Sequence, residues 1–229
     1  MADSKFVKLI SIPKSFYVSA RLVGFKHAFK LPVMVRFNCA LNSLKGRVIV
    51  KDTPLKRNLL SIGFSSTGIF DKRYSRSVLE ISGNLVVKGM VSFGQGTKMS
   101  IGETGTMTVE DGFSSTAEGT FVCVNKLFLG KGTAVAWSAM IMDTDWHSTK
   151  NTLTNELSPA AGEVYIGRYC WIGTRSMVLK NSYIPDGCIL AANSTANKRY
   201  PNPNSLLGGT PAIEKKHNIM KSDLGDIMF

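Results

Sequence analysis

The chain has 229 residues, 44% of them hydrophobic and 19% charged, a balance that allows a sizeable buried core and excludes a disordered or fibrous protein. Its 28 Lys/Arg and 16 Asp/Glu give a net charge of +12, and residues 1–80 hold 15 of the basic residues against 4 acidic ones. Four scattered cysteines, Cys39, Cys123, Cys170 and Cys188, with no CxxC pair, argue against a disulfide framework and against thiolate zinc or redox chemistry.

The first residues, MADSKFVKLISIPK, lack the apolar stretch of a secretory signal, and no run approaches the roughly 18 apolar residues of a membrane span. A cytoplasmic location is therefore expected. Residues 14–30 read as a short amphipathic basic helix ending before Pro32, suited to covering one end of a repeat stack, because a solenoid must cap its terminal apolar face. The sharper alternative for this segment is docking on a membrane surface, which would place the protein at the inner membrane face. Lys26, Lys30 and Arg36 lie among Phe25, Phe29 and Phe37, but no nucleic-acid module surrounds them, so no nucleic-acid partner is expected.

A period of six follows. Ile81, Val87, Phe93 and Met99 share one phase, and Cys123, Leu129, Val135 and Ile141 repeat at the same spacing. Between Ile101 and Phe121 the glycine-rich sequence keeps strand-and-turn character without a fixed register. The clearest stretch is IGRYCWIGTRSMVLKNSYIPDGCILAANS, where Ile166, Ile172, Val178, Ile184 and Leu190 fall six apart. Cys170, Ser176, Ser182, Cys188 and Ser194 each come four positions later. Neither a helix nor an alternating strand has this period. A parallel β-helix does: each hexad makes one short strand and a corner, and three close a triangular coil of eighteen residues. Cys170 then stacks on Cys188, Ile172 on Leu190, Gly173 on Ala191, and Thr174 on Ala192.

From Ile141 to Ile166 is 25 residues, one more than four hexads, so the register breaks and an external loop is expected over about 142–163. Rigid scaffolds place function on such loops. This one opens with Asp143, Asp145, Trp146 and His147. A positioned imidazole can take a proton from a hydroxyl, and a carboxylate beside it can fix its tautomer. Either aspartate is a candidate for that second role, and Trp146 is a candidate wall for substrate. After the repeats, PNPNSLLGGTPA over 201–212 is turn-rich, and the tail from Ile213 is expected to form a short helix.

The string IMDTDWH, the loop after it, the five clean hexads and NPNSLLGGTPA together resemble the hexapeptide-repeat O-acetyltransferases, which include galactoside, maltose and capsular-polysaccharide acetyltransferases. The resemblance spans roughly residues 80–215, and KLPV after the basic helix resembles the capsule branch. It implies an all-β, left-handed parallel β-helix, assembled as a homotrimer, that binds acetyl-CoA between subunits and transfers acetyl to a carbohydrate hydroxyl in capsule, O-antigen or exopolysaccharide synthesis. It implies His147 as the general base. Trp171, Gly173, Thr174, Ala191 and Ala192 would lie along the cofactor, and Lys198 at its phosphate or adenine end. No metal is implied. Ala191-Ala192-Asn193-Ser194 stands where the family has Gly-Ala-Gly-Ser, Pro185 where it has glycine, and Gly209-Thr210-Pro211-Ala212 where it has Gly-Asn-Pro-Ala.

This reading divides the chain into a basic capping segment (1–79), a β-helix with its loop (80–200) and a C-terminal turn and tail (201–229). The acceptor could be nucleotide-linked, lipid-linked or free. Rival readings are a non-catalytic β-helix scaffold and transfer to a small non-sugar acceptor. A third, a zinc hydratase of the same fold, needs three converging histidines, and His27, His147 and His217 are scattered along the chain.

Overall fold

The computed structural model describes residues 5–64, 67–71 and 74–222. The chain winds as a left-handed parallel β-helix. Up to Thr195–Ala196 the strands of the coil fall in rotation on three sheets, here called faces A, B and C, and the last two strands both join face A; among the described residues the faces contain nine, seven and six strands. The five clean hexads carry the rotation: Ile166 is on C, Ile172 on A, Val178 on B, Ile184 on C and Leu190 on A. All five are fully buried. Trp171 pairs with Ile189 and Ile172 with Leu190, so one turn is eighteen residues.

Corners are built from the small residues, which also point inward and satisfy their polar atoms against the backbone. Ser176 Oγ donates to Gly173 O at 2.6 Å and Ser182 Oγ to Ala196 O at 3.0 Å. The residue before each small one, Tyr169, Arg175, Asn181, Gly187 and Asn193, has a positive φ of 54–72°. Each corner therefore requires one left-handed residue, a conformation that Gly and Asn adopt most readily.

The stack begins earlier than the repeats suggest, and this corrects the expected start near residue 80. Strands Val33–Val35, Ala40–Leu44, Arg47–Val50 and Leu60–Ile62 already lie on faces A, B, C and A. Their coils are long and irregular, because insertions separate successive strands. The next coils are also longer than eighteen: Val78 pairs with Lys98 and Lys98 with Thr120. Phe93, Phe113 and Phe121 fill the wider interior, with ring centroids 5.0–6.2 Å apart.

Three helices close the N-terminal end: α1 (Lys5–Ile10), α2 (Ile12–Leu22) and α3 (Phe25–Ala28). The single helix expected over 14–30 is broken at Gly24, whose φ is +113°. Val18 and Leu22 of α2 enter the core. The open edge of strand Val33–Val35 is covered by serines spaced four apart on one face of α2 and its N-cap. Ser19 Oγ accepts from Val33 N at 3.2 Å, Ser15 Oγ from Val35 N at 3.0 Å, and Ser11 Oγ from Phe37 N at 3.0 Å. Unpaired strand edges invite pairing with other chains; here helical hydroxyls replace the missing coil. Ser15→Ala should destabilise the protein by about 1–3 kcal/mol, because it leaves a buried N–H without an acceptor. A denaturant melt unchanged from wild type would refute this.

The C-terminal end closes differently from expectation. The tail after Ile213 is a strand, not a helix: Ala212–Lys216 runs antiparallel to Leu206–Gly209 and ends face A. Leu207 and Ala212 lie in the core, and the buried Tyr200 hydroxyl donates to Ala212 O at 3.2 Å. These apolar anchors make a hairpin favourable where a helix would leave the last coil open.

All four cysteines are free and buried. Burial raises the Cys39 thiol to about 11 and the Cys170 thiol to about 12. A folded-state value above the unfolded one means that the unfolded chain loses these protons first. Their contribution to stability is thus complete below about pH 9 and declines as pH rises through 11–12. The melting temperature should fall over that range, and less so in a Cys39→Ala/Cys170→Ala variant; equal alkaline slopes would contradict the assignment.

Candidate functional site

The chain leaves the helix after the face-B strand Met140–Met142 and returns at the face-C strand Glu163–Ile166. The loop is therefore extruded at the B–C edge, and its body is a hairpin, Thr149–Lys150 against Leu157–Ser158. Asp143 anchors its base. The residue is fully buried, and its carboxylate accepts from Val124 N at 2.8 Å and Asn125 N at 2.9 Å. On the preceding coil the equivalent Gly102 N donates to a backbone carbonyl, that of Cys123. Where the chain departs, the aspartate side chain takes over that role. Burial and the adjacent Asp143 carboxylate together push the Cys123 thiol strongly upward.

Asp145 is held elsewhere. Its carboxylate meets Lys180 Nζ at 2.7 Å, and the same ammonium donates to Pro159 O at 2.7 Å. Trp146 has φ +62° and is 58% exposed. His147 beside it is exposed, and among the described residues its ring has no hydrogen-bond or ion-pair partner. The structure thus brings all four loop residues to one edge but gives neither aspartate to the imidazole. Lys180, which ties the two arms of the loop to the next coil, was not singled out from sequence. The repeat does not mark it, because the equivalent positions hold Arg168, Thr174, Asp186 and Ala192.

The second group of residues lies on the A–B edge. Trp171, Gly173 and Thr174 on one coil and Ile189, Ala191 and Ala192 on the next, with Leu206 below, line an open cleft of about 270 Å³. Gly173 is required there: a Cβ would sit 2.6 Å from Ala192 N and Leu190 O. Thr174 O accepts from Asn193 N at 2.9 Å, which locks the two coils in register. Among the described residues the N–H groups of Thr174 and Ala192 have no acceptor, leaving two donors, eighteen residues apart, at the rim of an apolar trough. Ile189 and Leu206, missed from sequence, supply its floor because their outward positions alternate with core residues. Lys198 is not in this cleft. It lies on the B–C edge, with Nζ 5.7 Å from the Tyr200 ring centroid.

In one chain, then, the histidine loop and the cleft occupy different edges of a triangular prism. Among the described residues no three His, Cys, Asp or Glu side chains converge as a metal site, and no helix is long and apolar enough to cross a membrane.

The fold and site define a left-handed β-helix that carries an extruded histidine loop and a separate edge cleft. No protein-family model matches the chain. It is 23% identical over 228 residues to an uncharacterized 24.8 kDa protein in the cps region of Klebsiella pneumoniae, with 96% of this chain and 98% of the relative covered. Among solved structures it is similar to the polysialic acid O-acetyltransferase OatWY (20% identity, 84% of this chain and 90% of that one, TM-score 0.45). It is also similar to the polySia-specific acetyltransferase NeuO (13%, 83% and 92%, TM-score 0.48). A third is a point mutant of AntD, an N-acyltransferase from Bacillus cereus, in complex with dTDP-4-amino-4,6-dideoxyglucose and coenzyme A (13%, 74% and 83%, TM-score 0.46). With every TM-score below 0.5, these superpositions transfer no residue role to this chain.

Proposed function

We propose that this protein is an acyltransferase that moves acetyl from acetyl-CoA to a carbohydrate hydroxyl, at sites shared between copies of a homotrimer. The observation that carries the reading is the separation of the loop and the cleft onto different edges of one prism. If the B–C edge of one copy meets the A–B edge of the next, His147 and Lys198 of one subunit approach the Thr174/Ala192 rim of another, and a heterologous contact of this kind closes into a ring. Face B lies between those two edges. Its outward residues are polar on the earlier coils, Glu80, Lys98, Ser100 and Thr120, but Val122, Met140, Met142 and Met177 beside the loop and cleft are apolar, which suits that part of the face to burial between subunits.

The cleft fits an extended pantetheine arm. Its apolar walls take the chain, and the Thr174 and Ala192 N–H groups are free to pair with the arm's amides or with the thioester oxygen as it becomes an oxyanion. His147 removes the acceptor hydroxyl proton and the alkoxide attacks the thioester carbonyl. As the intermediate collapses the carbon–sulfur bond breaks, and the imidazolium returns the proton to the departing sulfur, giving the ester and free coenzyme A. An acyl-cysteine is disfavoured because Cys170 and Cys188 are buried with raised thiols. The carbohydrate acceptor follows from the family resemblance of the repeat and loop, and its form could be nucleotide-linked, lipid-linked or free.

Acetyl-CoA should raise the melting temperature, since a ligand bound only by the folded state stabilises it. Ala192→Phe, which fills the cleft from an exposed position, should abolish that rise and increase KM for acetyl-CoA about tenfold or more. A non-catalytic scaffold predicts no rise in either protein and no acetylated product, by mass spectrometry, from a panel of nucleotide-linked, lipid-linked and free glycans. Transfer to amine acceptors alone would exclude the carbohydrate reading.

A further inference from the structure

The N-terminal cap carries more apolar and positive surface than capping requires. A solenoid end needs an apolar inner face and a polar outer one. The inner side of this cap is complete: Val18 and Leu22 fill the core, and Val7, Ile12 and Phe16 pack against Leu31, Met34 and Phe64. Yet the outer side leaves Phe6, Leu9, Phe25 and Phe29 62–70% exposed. Phe25 and Phe29 stand edge to face with Phe16 and with each other, at centroid distances of 5.2–6.0 Å. Between residues 5 and 51 there are ten Lys/Arg and no Asp or Glu. Beside α1, a cleft of about 270 Å³ lined by Lys8, Arg57, Asn58 and Ser61 opens over Met34 and Phe64.

We infer that this cap docks the protein on a bilayer containing anionic phospholipid. Exposed aromatic and aliphatic side chains enter the interfacial region, lysines and arginines around them face lipid phosphates, and the Lys8/Arg57 cleft receives one headgroup phosphate. Charge decides the occupant. A stretch from residue 5 to residue 51 with no carboxylate repels no anionic surface, and exposed Leu9 beside rings packed edge to face on one another suits a partner that is apolar beneath its charged layer, whereas single-stranded nucleic acid stacks its bases on ring faces. With the cap on the membrane, the histidine loop leaves the helix about four coil steps away, at a height on the order of 20 Å. Nothing in this inference depends on the acyltransferase reading.

The test is co-sedimentation of the full chain with vesicles of phosphatidylcholine alone or with a third phosphatidylglycerol, at low and high salt. Binding is expected only to the anionic vesicles and should fall with salt. Lys26→Glu/Lys30→Glu and Phe25→Ser/Phe29→Ser, all at exposed positions, should each weaken it about tenfold or more. Lys215→Glu/Lys216→Glu, at the opposite end, should bind as wild type, and circular dichroism melts confirm that each variant folds. Folded charge-reversed or serine variants that bind like wild type overturn the inference, as does equal binding to neutral vesicles or none to anionic ones. Release by millimolar inorganic phosphate would overturn it in favour of a free-phosphate site, and equally tight binding of single-stranded RNA in favour of a nucleic-acid surface.

Discussion

His147→Ala is expected to lower acetyl transfer at least about a hundredfold, the usual contribution of a positioned general base. Stability should stay within about 0.5 kcal/mol of wild type, because the side chain is exposed and makes no hydrogen bond or ion pair among the described residues. The loss should fall on kcat with KM for acetyl-CoA unchanged, since the thioester is bound at another edge. Steady-state release of coenzyme A thiol, together with a thermal melt, separates these outcomes. Full activity in the variant would remove His147 from the mechanism, and a large drop in melting temperature would make it a structural residue instead. Mixing the His147→Ala and Ala192→Phe chains adds a second check. If loop and cleft belong to neighbouring subunits, a mixed trimer contains some sites built from two intact halves and regains activity that neither parent has.

Asp143→Ala is expected to have the largest effect on folding. The carboxylate is fully buried and accepts both the Val124 and the Asn125 N–H. Removing it strands two donors at the coil corner where no backbone carbonyl can replace it. The cost should be about 2–5 kcal/mol, or a fall in melting temperature on the order of 10 °C for a chain of this size. Asp143→Asn, with one acceptor oxygen left, should lie between. An orienting role for Asp143 toward His147 predicts the reverse pattern, with kcat impaired and melting preserved. Denaturant titration of both variants alongside their kinetics decides between the two.

Lys180 gives a milder contrast. It bridges Asp145 and Pro159 O from the next coil, so it sets the pose of the loop rather than its existence. Asp145 is 46% exposed in this pair, where ion pairs add little to global stability. Its influence would therefore be on where Trp146 and His147 are presented.

The hexads from Ile166 to Leu190 made the fold legible because each coil there is eighteen residues, and a fixed period leaves a fixed pattern of aliphatic and small residues. The first coils escaped the same reading for a physical reason. A β-helix tolerates added residues at corners, provided each strand still presents its inward side chains, and in the wider coils that follow Phe93, Phe113 and Phe121 absorb the extra interior space. Longer corners erase the period without erasing the coil. The C-terminal tail departs from its helical expectation because a short segment does not reveal whether an open sheet edge awaits it.

The loop was legible as an interruption, and its residues as candidates, because departure from a strict repeat is visible in one dimension. Their roles were not. An acid beside a histidine in sequence reads as a partner, yet Asp143 turns inward to the amides of the neighbouring coil, and Asp145 turns to Lys180, far along the chain. Hydrogen bonding of that kind depends on which backbone groups are left unpaired when the chain leaves the stack, a property of neighbouring coils and not of neighbouring residues. By itself, the sequence determined the six-residue phase, the inward side chains, the cleft's small residues and the place where the repeat breaks. Only the tertiary structure decided that His147 and the cleft stand on different edges, because an edge is assigned by the sum of strand and corner lengths across whole coils.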